Sequence, residues 1–403
     1  MSAKRGPEPP VYIDNDRALE KLVLHLQDQR AIAVDTESNP LFAYREKLCL
    51  IQISTAKRDY IVDPLSGLSL EPLVSVFADP NVVKILHDAE YDILMLKRTL
   101  PVEFVGLFDT KVAATSLAME SLGLAAILKE FFDVSLNKKM QRSDWGRRPL
   151  TEEQLDYARY DTRFLIPLAN DFRTKLLDAD PIHQLEVASE FRRVEQLAPE
   201  DKSFNPDDFI LVKGSDRLNP VQARAMRELF VMRHQISDEL DRPAFKVLPN
   251  AVLLDLARSR PETMQELVSE KILSPKLRDR RGADVLAALA RARKRSPLPS
   301  ETLHPTRKDQ DLLTAEQSAV LDALRNWRKD AARERGVDAS LILPRTTLFA
   351  LCRLRHRPLD PASLRGCGVL EPWRVDYYGE GILRALNTLT PNSNRFRGKK
   401  HRQ

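Results

Sequence analysis

The feature that most constrains the fold of this chain is a change of pattern near residue 205. Before it, apolar residues alternate with polar ones over short segments, which predicts strands at 31–37, 48–54, 59–62, 82–86 and 104–108. Helices are predicted around these strands, at 16–29, 70–78, 91–98 and from Thr110 onward. After residue 205 only helical spacing of apolar residues remains. This order predicts an α/β domain with a mixed sheet flanked by helices, followed by an all-α region.

A long helix is predicted from residue 151 to about residue 177. It begins with Thr151, and Gln154 follows three positions later. This pair is typical of a capping box, in which each side chain satisfies a backbone group of the other residue. The pattern therefore predicts where the helix starts.

The all-α region contains two similar stretches, so it is predicted to hold two small tandem domains rather than a solenoid. Five residues recur at an offset of 95 positions: Leu229, Arg233, Pro249, Leu253 and Leu256 correspond to Leu324, Arg328, Pro344, Leu348 and Leu351. A segment rich in proline, serine and charge, 293–300, separates the two stretches. The predicted organisation is a flexible tail (1–12), the α/β domain (13–205), a helical domain (210–294), a linker (295–308), a second helical domain (309–395) and a basic tail (396–403).

Charge is distributed unevenly along the 403 residues, whose formal net charge is +5. Residues 1–200 carry −7 and residues 201–403 carry +12, which predicts that the second half attracts an anionic partner. No apolar run is long enough to span a membrane, and no secretory signal is recognisable. The three cysteines are far apart, which argues against disulfides or a zinc site and favours a cytoplasmic protein.

Carboxylates occur in unusual positions in three segments of the α/β domain. Asp35 and Glu37 end an apolar strand and project to the same side of it, because side chains alternate along a strand. Asp92 lies in the first turn of the helix after the next buried strand, and Tyr157 and Asp161 share a helix face. Each pattern alone has an ordinary alternative: a solvated strand end, a charge at a helix N-terminus, or a core tyrosine beside a surface acid.

Together, these carboxylates predict a site for two divalent cations. Mg²⁺ and Mn²⁺ prefer oxygen ligands, and the set contains neither histidine nor cysteine. Two such ions can activate water and stabilise the leaving oxygen in phosphodiester cleavage. Tyr157, one helical turn before Asp161, could orient or help to deprotonate the attacking water.

These motifs resemble the tyrosine branch of the DEDD exonucleases, known as DEDDy. The matching residues are Asp35 and Glu37, then Tyr91, Asp92 and Leu96, then Tyr157 and Asp161. The stretch from Gln141 to Asp161 resembles the ribonuclease D family, and the helical repeats resemble HRDC domains. One nuclease domain followed by two such modules is the arrangement of that family. The resemblance implies a ribonuclease H-like mixed sheet followed by two small all-α HRDC-like domains.

By this resemblance, Asp35, Glu37 and Asp161 are ligands of one metal, Asp35 bridges to a second metal that Asp92 holds, and Tyr157 positions the nucleophile. The catalytic residues are therefore predicted to be Asp35, Glu37, Asp92, Tyr157 and Asp161. In the family's second motif an asparagine often precedes the aromatic residue. This chain has Asp88 there, so a substrate contact at that position is in question.

Substrate contacts are predicted mainly in the basic loop 138–148. Its cations are either a solvated surface or a phosphate-binding surface, and Trp145 either stacks on a base or plugs the core. Because Ser38 replaces the aromatic or large apolar residue usual after Glu37, Phe42 or Tyr44 is expected to stack on the terminal base. The predicted substrate-binding residues are Thr36, Lys139, Gln141, Arg142, Trp145 and Arg148.

Other polar residues have structural explanations. His87 ends a buried strand and is predicted to be a satisfied histidine rather than a phosphate contact. Asp109 before Thr110 is predicted to be a helix cap. Arginines of the helical region are either a solvated face or a surface for RNA; they include Arg224, Arg227, Arg233, Arg325, Arg328 and Arg333.

The predicted function is that of a metal-dependent 3′–5′ exoribonuclease that uses two Mg²⁺ or Mn²⁺ ions and releases nucleoside 5′-monophosphates. By resemblance, the substrate is a structured RNA precursor with a single-stranded 3′ end, such as a tRNA precursor, and the protein is expected to be a monomer without membrane attachment. A 3′–5′ DNA exonuclease and a catalytically silent RNA-binding protein are the alternatives. The presence of all four carboxylates and Tyr157 argues against the silent protein.

Overall fold

A computed structural model of the chain describes residues 8–136, 139–200, 203–299, 302 and 313–387. Most of the predicted N-terminal tail, Lys138, much of the predicted linker and the predicted basic tail 396–403 lie outside the described residues.

The N-terminal region is built on a six-stranded mixed sheet in the order β1-β4-β3-β2-β5-β6. β2 runs antiparallel to β3 and parallel to β5, so it lies at the centre of the sheet. The strands are β1 (Val11–Ile13), β2 (Ala31–Ser38), β3 (Leu48–Ser54), β4 (Asp59–Val62), β5 (Val83–Leu86) and β6 (Leu107–Asp109). The mixed sheet expected from the sequence is confirmed.

The edge strand β1 corrects the predicted extent of the N-terminal tail, which was placed at 1–12. Val11 and Tyr12 pair in parallel with Tyr60 and Ile61 of β4. The Tyr12 hydroxyl also donates a hydrogen bond to Asp63, 2.5 Å away. A strand of three residues is too short to show a periodic pattern that could be recognised from sequence. Its pairing partner also lies about 50 positions away, so no local signal indicates the pairing.

Helices cover both faces of the sheet. Those of this region are α1 (Asp16–Gln27), α2 (Leu73–Phe77), α3 (Glu90–Thr99), α4 (Thr110–Ser116), α5 (Leu124–Phe132), α6 (Glu152–Arg163), α7 (Leu165–Asp178) and α8 (Pro181–Glu195). Ile32 and Val34 of β2 pack in the core formed with α1 to α3. Ala33 faces the opposite way, toward α4, α7 and α8. Asp35 and Glu37 share the parity of Ala33, so their side chains leave β2 on that second face.

The long helix predicted from residue 151 is two helices, which corrects the prediction. Its start is confirmed, because Thr151 and Gln154 form the capping box. α6 ends at Arg163 and α7 begins at Leu165, with Phe164 between them. Leu165 and Leu168 then pack against the sheet beside α4, so tertiary packing redirects a segment whose helical periodicity continues without interruption.

Two similar helical units follow. The first contains α9 (Pro220–Glu239), α10 (Ala244–Val247), α11 (Asn250–Ser259), α12 (Met264–Glu270) and α13 (Pro275–Arg293). The second contains α14 (Ala315–Arg335), α15 (Ala339–Ile342), α16 (Arg345–Cys352), α17 (Pro361–Gly366) and α18 (Pro372–Asn387). None of the helices in the described ranges has both the length and the apolar content that crossing a bilayer requires.

The repeated arginine has the same structural role in both units. Arg233 donates a hydrogen bond to the carbonyl of Leu248, and Arg328 donates one to the carbonyl of Leu343. Donor and acceptor are thus both displaced by 95 positions. Each of these two arginines thus helps to hold the loop that carries the Leu-Pro sequence of its own unit.

The N-terminal part of the predicted linker is also corrected. Leu298 is buried in the core of the first helical unit, and its amide donates to the carbonyl of Pro220. Arg295 forms an ion pair with the buried Glu228 at 2.9 Å. Residues 295–299 therefore belong structurally to the first unit. The buried side chain of Leu298 anchors this otherwise polar segment to the unit.

Each helical unit contacts the α/β region through polar groups. The first unit meets the β2–β3 loop, where Lys47 and Arg45 pair with Asp241 and Asp238, respectively. Asp241 also accepts a hydrogen bond from the backbone amide of Tyr44 at 3.0 Å. We call this set the loop contact.

The second unit meets α8. The fully buried Glu186 accepts a hydrogen bond from the Tyr378 hydroxyl at 2.8 Å and pairs with Arg335. Glu371 pairs with Arg192 at 2.7 Å on the same surface.

Candidate active site

Three carboxylates converge where β2 ends. Asp35 and Glu37 reach the second face of the sheet, and α6 crosses that face with Asp161 directed toward them. One oxygen from each of the three lies within 4.8 Å of the others. The sheet and α6 therefore bring together residues that are more than 120 positions apart in sequence.

Asp92 reaches the same place from the first turn of α3. Its Oδ1 accepts hydrogen bonds from the Thr36 amide at 3.0 Å and from the Thr36 hydroxyl at 2.5 Å. Thr36 points away from Asp35 and Glu37 because it is the residue between them. The end of β2 is thus held between α3 and α6, with carboxylates on both sides.

Tyr157 lies one turn before Asp161 on α6. Its side chain lines the same cavity as those of Asp161 and Gln141. Burial, followed by the charges of Asp161 and Glu37, raises the pKa of Tyr157 well above its usual value. Tyr157 is therefore a neutral phenol at neutral pH.

The crowded carboxylates disfavour their own ionisation. Burial, and then the charge of Asp35, raises the pKa of Glu37 to about 10. Burial raises the pKa of Asp161 to about 7, with Asp92 adding to the effect. Burial, and then the neighbouring carboxylate in each case, also raises the pKa values of Asp35 and Asp92 well above their usual range. Acids placed so closely are stabilised by a cation.

The donor set fits hard divalent cations. Asp35, Glu37 and Asp161 supply oxygen ligands, and no histidine or cysteine belongs to this cluster among the described residues. Mg²⁺ and Mn²⁺ suit such a set better than zinc or copper does. The structure therefore supports the predicted chemistry of the cofactor site.

The cluster forms part of the wall of a cavity of about 630 Å³. All four carboxylates, Tyr157, Thr36 and Gln141 line it. The other side carries apolar residues that precede or begin α5, and Leu136. The cavity thus combines an acidic wall with an apolar one.

Two predicted substrate contacts are corrected by the structure. Trp145 is only 1% exposed and packs beside Tyr157, with ring centroids 6.0 Å apart, so it plugs the core instead of stacking on a base. The Arg148 guanidinium makes a two-point contact with Asp63, at 2.6 Å for both bonds, and also donates to the Cys49 carbonyl. Neither residue lines the cavity, because both anchor the loop 138–148 to the rest of the domain.

Phe42 and Tyr44 are also placed differently from the expectation. Tyr44 packs against His234 of the first helical unit, and Phe42 lies under the Lys246 ammonium, 4.4 Å from the ring centre. Both aromatic rings face the helical unit, so terminal-base stacking is not their role. Lys139 and Arg142 lie exposed around the short turn Met140–Arg142, where their substrate contacts remain predictions.

Asp109 and His87 have the structural partners expected of them, and His87 also lines the cavity. His87 is hydrogen-bonded to the Thr110 hydroxyl at 2.9 Å, and burial lowers its pKa to about 4. Asp109 caps α4 by accepting from the amides of Lys111 and Val112. Asp88 adopts a left-handed backbone conformation with φ of 66°.

Two residues at the site were not selected from the sequence. Lys111 lines the cavity and pairs with Asp88 at 2.5 Å. Gln52 lies fully buried in β3, opposite Asp35 in the strand register. The available signal for Gln52 was a single amide in the middle of an otherwise apolar strand, LCLIQIS.

Comparisons with known proteins agree with this geometry. The 3′–5′ exonuclease family model matches residues 10–177, and the HRDC domain model matches residues 222–289 and 317–386. Ribonuclease D of Pseudomonas paraeruginosa is 30% identical over 94% of this chain and 97% of its own length.

The chain belongs to the ribonuclease D family.

It is accordingly a 3′–5′ exoribonuclease with a nuclease domain and two HRDC domains. The exosome complex exonuclease RRP6 of Saccharomyces cerevisiae is 32% identical over 64% of this chain, which spans 37% of that relative. The crystal structure of Escherichia coli RNase D has a TM-score of 0.63 at 24% identity, covers 95% of this chain and 100% of its own, and shows the shared fold.

Proposed function

We propose that this ribonuclease D family member removes nucleotides one at a time from the 3′ end of structured RNA precursors, with tRNA precursors as the expected substrates. The observation that carries the proposal is the convergence of Asp35, Glu37 and Asp161 within 4.8 Å on a cavity that Asp92 and Tyr157 also line. The expected products are nucleoside 5′-monophosphates. We expect the protein to act as a monomer in the cytoplasm.

Two divalent cations, Mg²⁺ or Mn²⁺, are the proposed cofactors. Asp35, Glu37 and Asp161 would hold one, and Asp35 and Asp92 would hold the other. When bound, such cations activate water and stabilise the leaving oxygen of a phosphodiester. They also stabilise the ionised form of these crowded carboxylates, which is disfavoured without a cation.

The residues of the chain have distinct proposed tasks. Tyr157, which is neutral, orients the attacking water through its hydroxyl rather than removing the proton from it. Gln141, which lines the same cavity from the loop side, would steady that hydroxyl when substrate is bound. The apolar wall near Leu122, Leu124 and Leu136 accommodates the terminal base, and Lys111 is positioned to meet a phosphate.

Cleavage of labelled RNA and DNA tests the proposal. The purified protein is incubated with 5′-labelled and 3′-labelled single strands of both nucleic acids in Mg²⁺, Mn²⁺ or EDTA. Stepwise shortening of RNA from its 3′ end, abolished by EDTA, is the expected result. Preference for DNA would favour the DNA exonuclease, and binding without cleavage in either metal would favour a silent RNA-binding protein.

A matched pair of variants on α6 locates the activity. Asp161→Asn removes a carboxylate of the cluster, whereas Asp156→Asn removes an exposed one on the same helix, paired with Arg159 at 3.1 Å. We expect Asp161→Asn to lower the cleavage rate at least a hundredfold while RNA binding persists, and Asp156→Asn to stay near the parent rate. Equal activity of the two variants would refute the assignment.

A further inference from the structure

Gln52 occupies a position on the floor of the carboxylate cluster. In the antiparallel pairing of β2 and β3, Gln52 is directly opposite Asp35. Residues that face each other in this way project to the same side of a sheet, with Cβ atoms about 5 Å apart. The Gln52 side chain therefore points toward α6, on the side where Asp35 and Asp161 meet.

Its neighbours along β3 confirm this direction. Leu50, two residues before, belongs to the apolar cluster that contains Tyr157 and Ala158 of α6. Ser54, two residues after, is hydrogen-bonded to the Thr162 hydroxyl of α6 at 2.7 Å. Gln52 thus lies beneath the turn of α6 that carries Asp161.

The amide of Gln52 is unusual because nothing satisfies it. The side chain is fully buried, and neither Nε2 nor Oε1 has a hydrogen-bond partner among the residues that the structure describes. An unsatisfied buried donor or acceptor is costly and uncommon in native proteins. Ser54 on the same face shows the ordinary situation, because its hydroxyl is shared between Asp59 and Thr162.

We propose that Gln52 is a positioning residue for the metal ligand Asp35, to which its Nε2 donates a hydrogen bond when the site holds its cation. The two oxygens of an ionised carboxylate offer about four lone-pair sites, so an oxygen that binds a cation can still accept a hydrogen bond from an amide donor. Carboxylates that bind metals are commonly oriented by such partners. This inference rests on the proposed function, in which Asp35 binds a divalent cation.

Replacing Gln52 with methionine separates this role from a purely structural one. Methionine has a similar volume and no amide. We expect Gln52→Met to weaken Mn²⁺ binding, measured by calorimetry on the full chain, about 10- to 100-fold. The melting temperature of the metal-free variant should equal or exceed that of the parent, because two unsatisfied polar groups have been removed.

Ser54→Ala is the matched control on the same strand and face. It removes a satisfied hydroxyl that does not contact the cluster, so we expect a lower melting temperature with Mn²⁺ affinity close to that of the parent. Gln52→Leu, measured in parallel, repeats the test with a second apolar side chain in case methionine packs poorly.

Two outcomes overturn the inference. If Gln52→Met and Gln52→Leu bind Mn²⁺ as the parent does, the amide does not serve the metal ligand. If both lose thermal stability without metal as Ser54→Ala does, the amide is structural. If the parent protein neither binds Mn²⁺ nor cleaves RNA, the proposed function itself is refuted. If the parent protein binds Mn²⁺ and cleaves RNA, and the Gln52 variants bind Mn²⁺ equally well, only the present inference is refuted.

Discussion

Replacing Thr36 with valine removes one hydrogen bond from the site and changes little else. Valine has nearly the shape of threonine and an equal preference for strands, so β2 and its packing are preserved. The hydroxyl that donates to Asp92 Oδ1 at 2.5 Å is lost, whereas the backbone amide at 3.0 Å remains. The perturbation is therefore confined to one buried bond between a hydroxyl and a carboxylate.

The size of the effect follows from the charge of the acceptor. A hydrogen bond to a charged group contributes about 1.5–3 kcal/mol, which corresponds to roughly a 10- to 150-fold change in an equilibrium constant. The Thr36 hydroxyl also lowers the pKa of Asp92, so its removal raises that pKa further. In the variant, a cation must therefore displace a proton that Asp92 binds more tightly. The Asp92 carboxylate is also less well oriented, because it has lost the Thr36 hydroxyl bond.

Single-turnover cleavage of 5′-labelled RNA, titrated with Mn²⁺, measures this effect. We expect Thr36→Val to raise the Mn²⁺ concentration for half-maximal rate about 10- to 100-fold, with the rate partly recovered at high Mn²⁺. Thr36→Ser keeps the hydroxyl and should stay close to the parent. An unchanged Mn²⁺ dependence in Thr36→Val, or a serine variant as impaired as the valine variant, would show that this bond does not support the site.

Three further predictions concern pH and the contacts between domains. In the folded protein the pKa of Asp161 is about 7 and that of Glu37 is about 10, whereas both are about 4 in the unfolded chain. The contribution of these two groups to stability is therefore complete below about pH 4 and is lost as the pH rises through 7 and beyond. Scanning fluorimetry should therefore show a metal-free melting temperature that falls from about pH 6 to about pH 8, and a Mn²⁺-induced increase that is larger at the higher pH; equal increases at both values would contradict this. Asp241→Ala should break the loop contact and speed hydrogen exchange of residues 39–47, while Asp284→Ala, which removes an ion pair within α13, should leave that segment unchanged. Glu186→Ala leaves the partners of a fully buried carboxylate unpaired and should cost about 3–5 kcal/mol in urea unfolding, against less than about 1 kcal/mol for the exposed Asp330→Ala.

The loop contact lies close to the acidic cluster. The β2–β3 loop leaves Glu37 and Ser38, passes Tyr44 and Lys47, and returns into β3. Glu46 of this loop and Ser38 at the end of β2 are both hydrogen-bonded to the Tyr91 hydroxyl, beside Asp92. A short loop thus joins the first HRDC domain to both sides of the acidic cluster.

The sequence was sufficient wherever a local rule determines the outcome. Alternation along β2 places Asp35 and Glu37 on one face, and Tyr157 and Asp161 share one side of α6 because they are four residues apart. The capping box at Thr151 also depends on spacing alone. These features require no knowledge of which elements are neighbours.

Residues whose role depends on a distant partner could not be predicted in this way. Trp145 and Arg148 look like a basic and aromatic surface for RNA, yet Trp145 packs between α6 and the sheet, and Arg148 pairs with Asp63 at the end of β4. Tyr44 looks like a stacking platform, yet it meets a histidine 190 positions later. Charge and aromatic character are the same in both roles, so only burial and partner identity distinguish them.

The sequence by itself determined the chemistry of this protein: four carboxylates, a tyrosine and a mixed sheet to carry them. The tertiary structure decided which carboxylates share one space, where the long helix divides at Phe164, and that Gln52 lies opposite Asp35. The physical reason is that periodicity assigns a side chain to a face of its own element, whereas distances between elements arise only when those faces pack together.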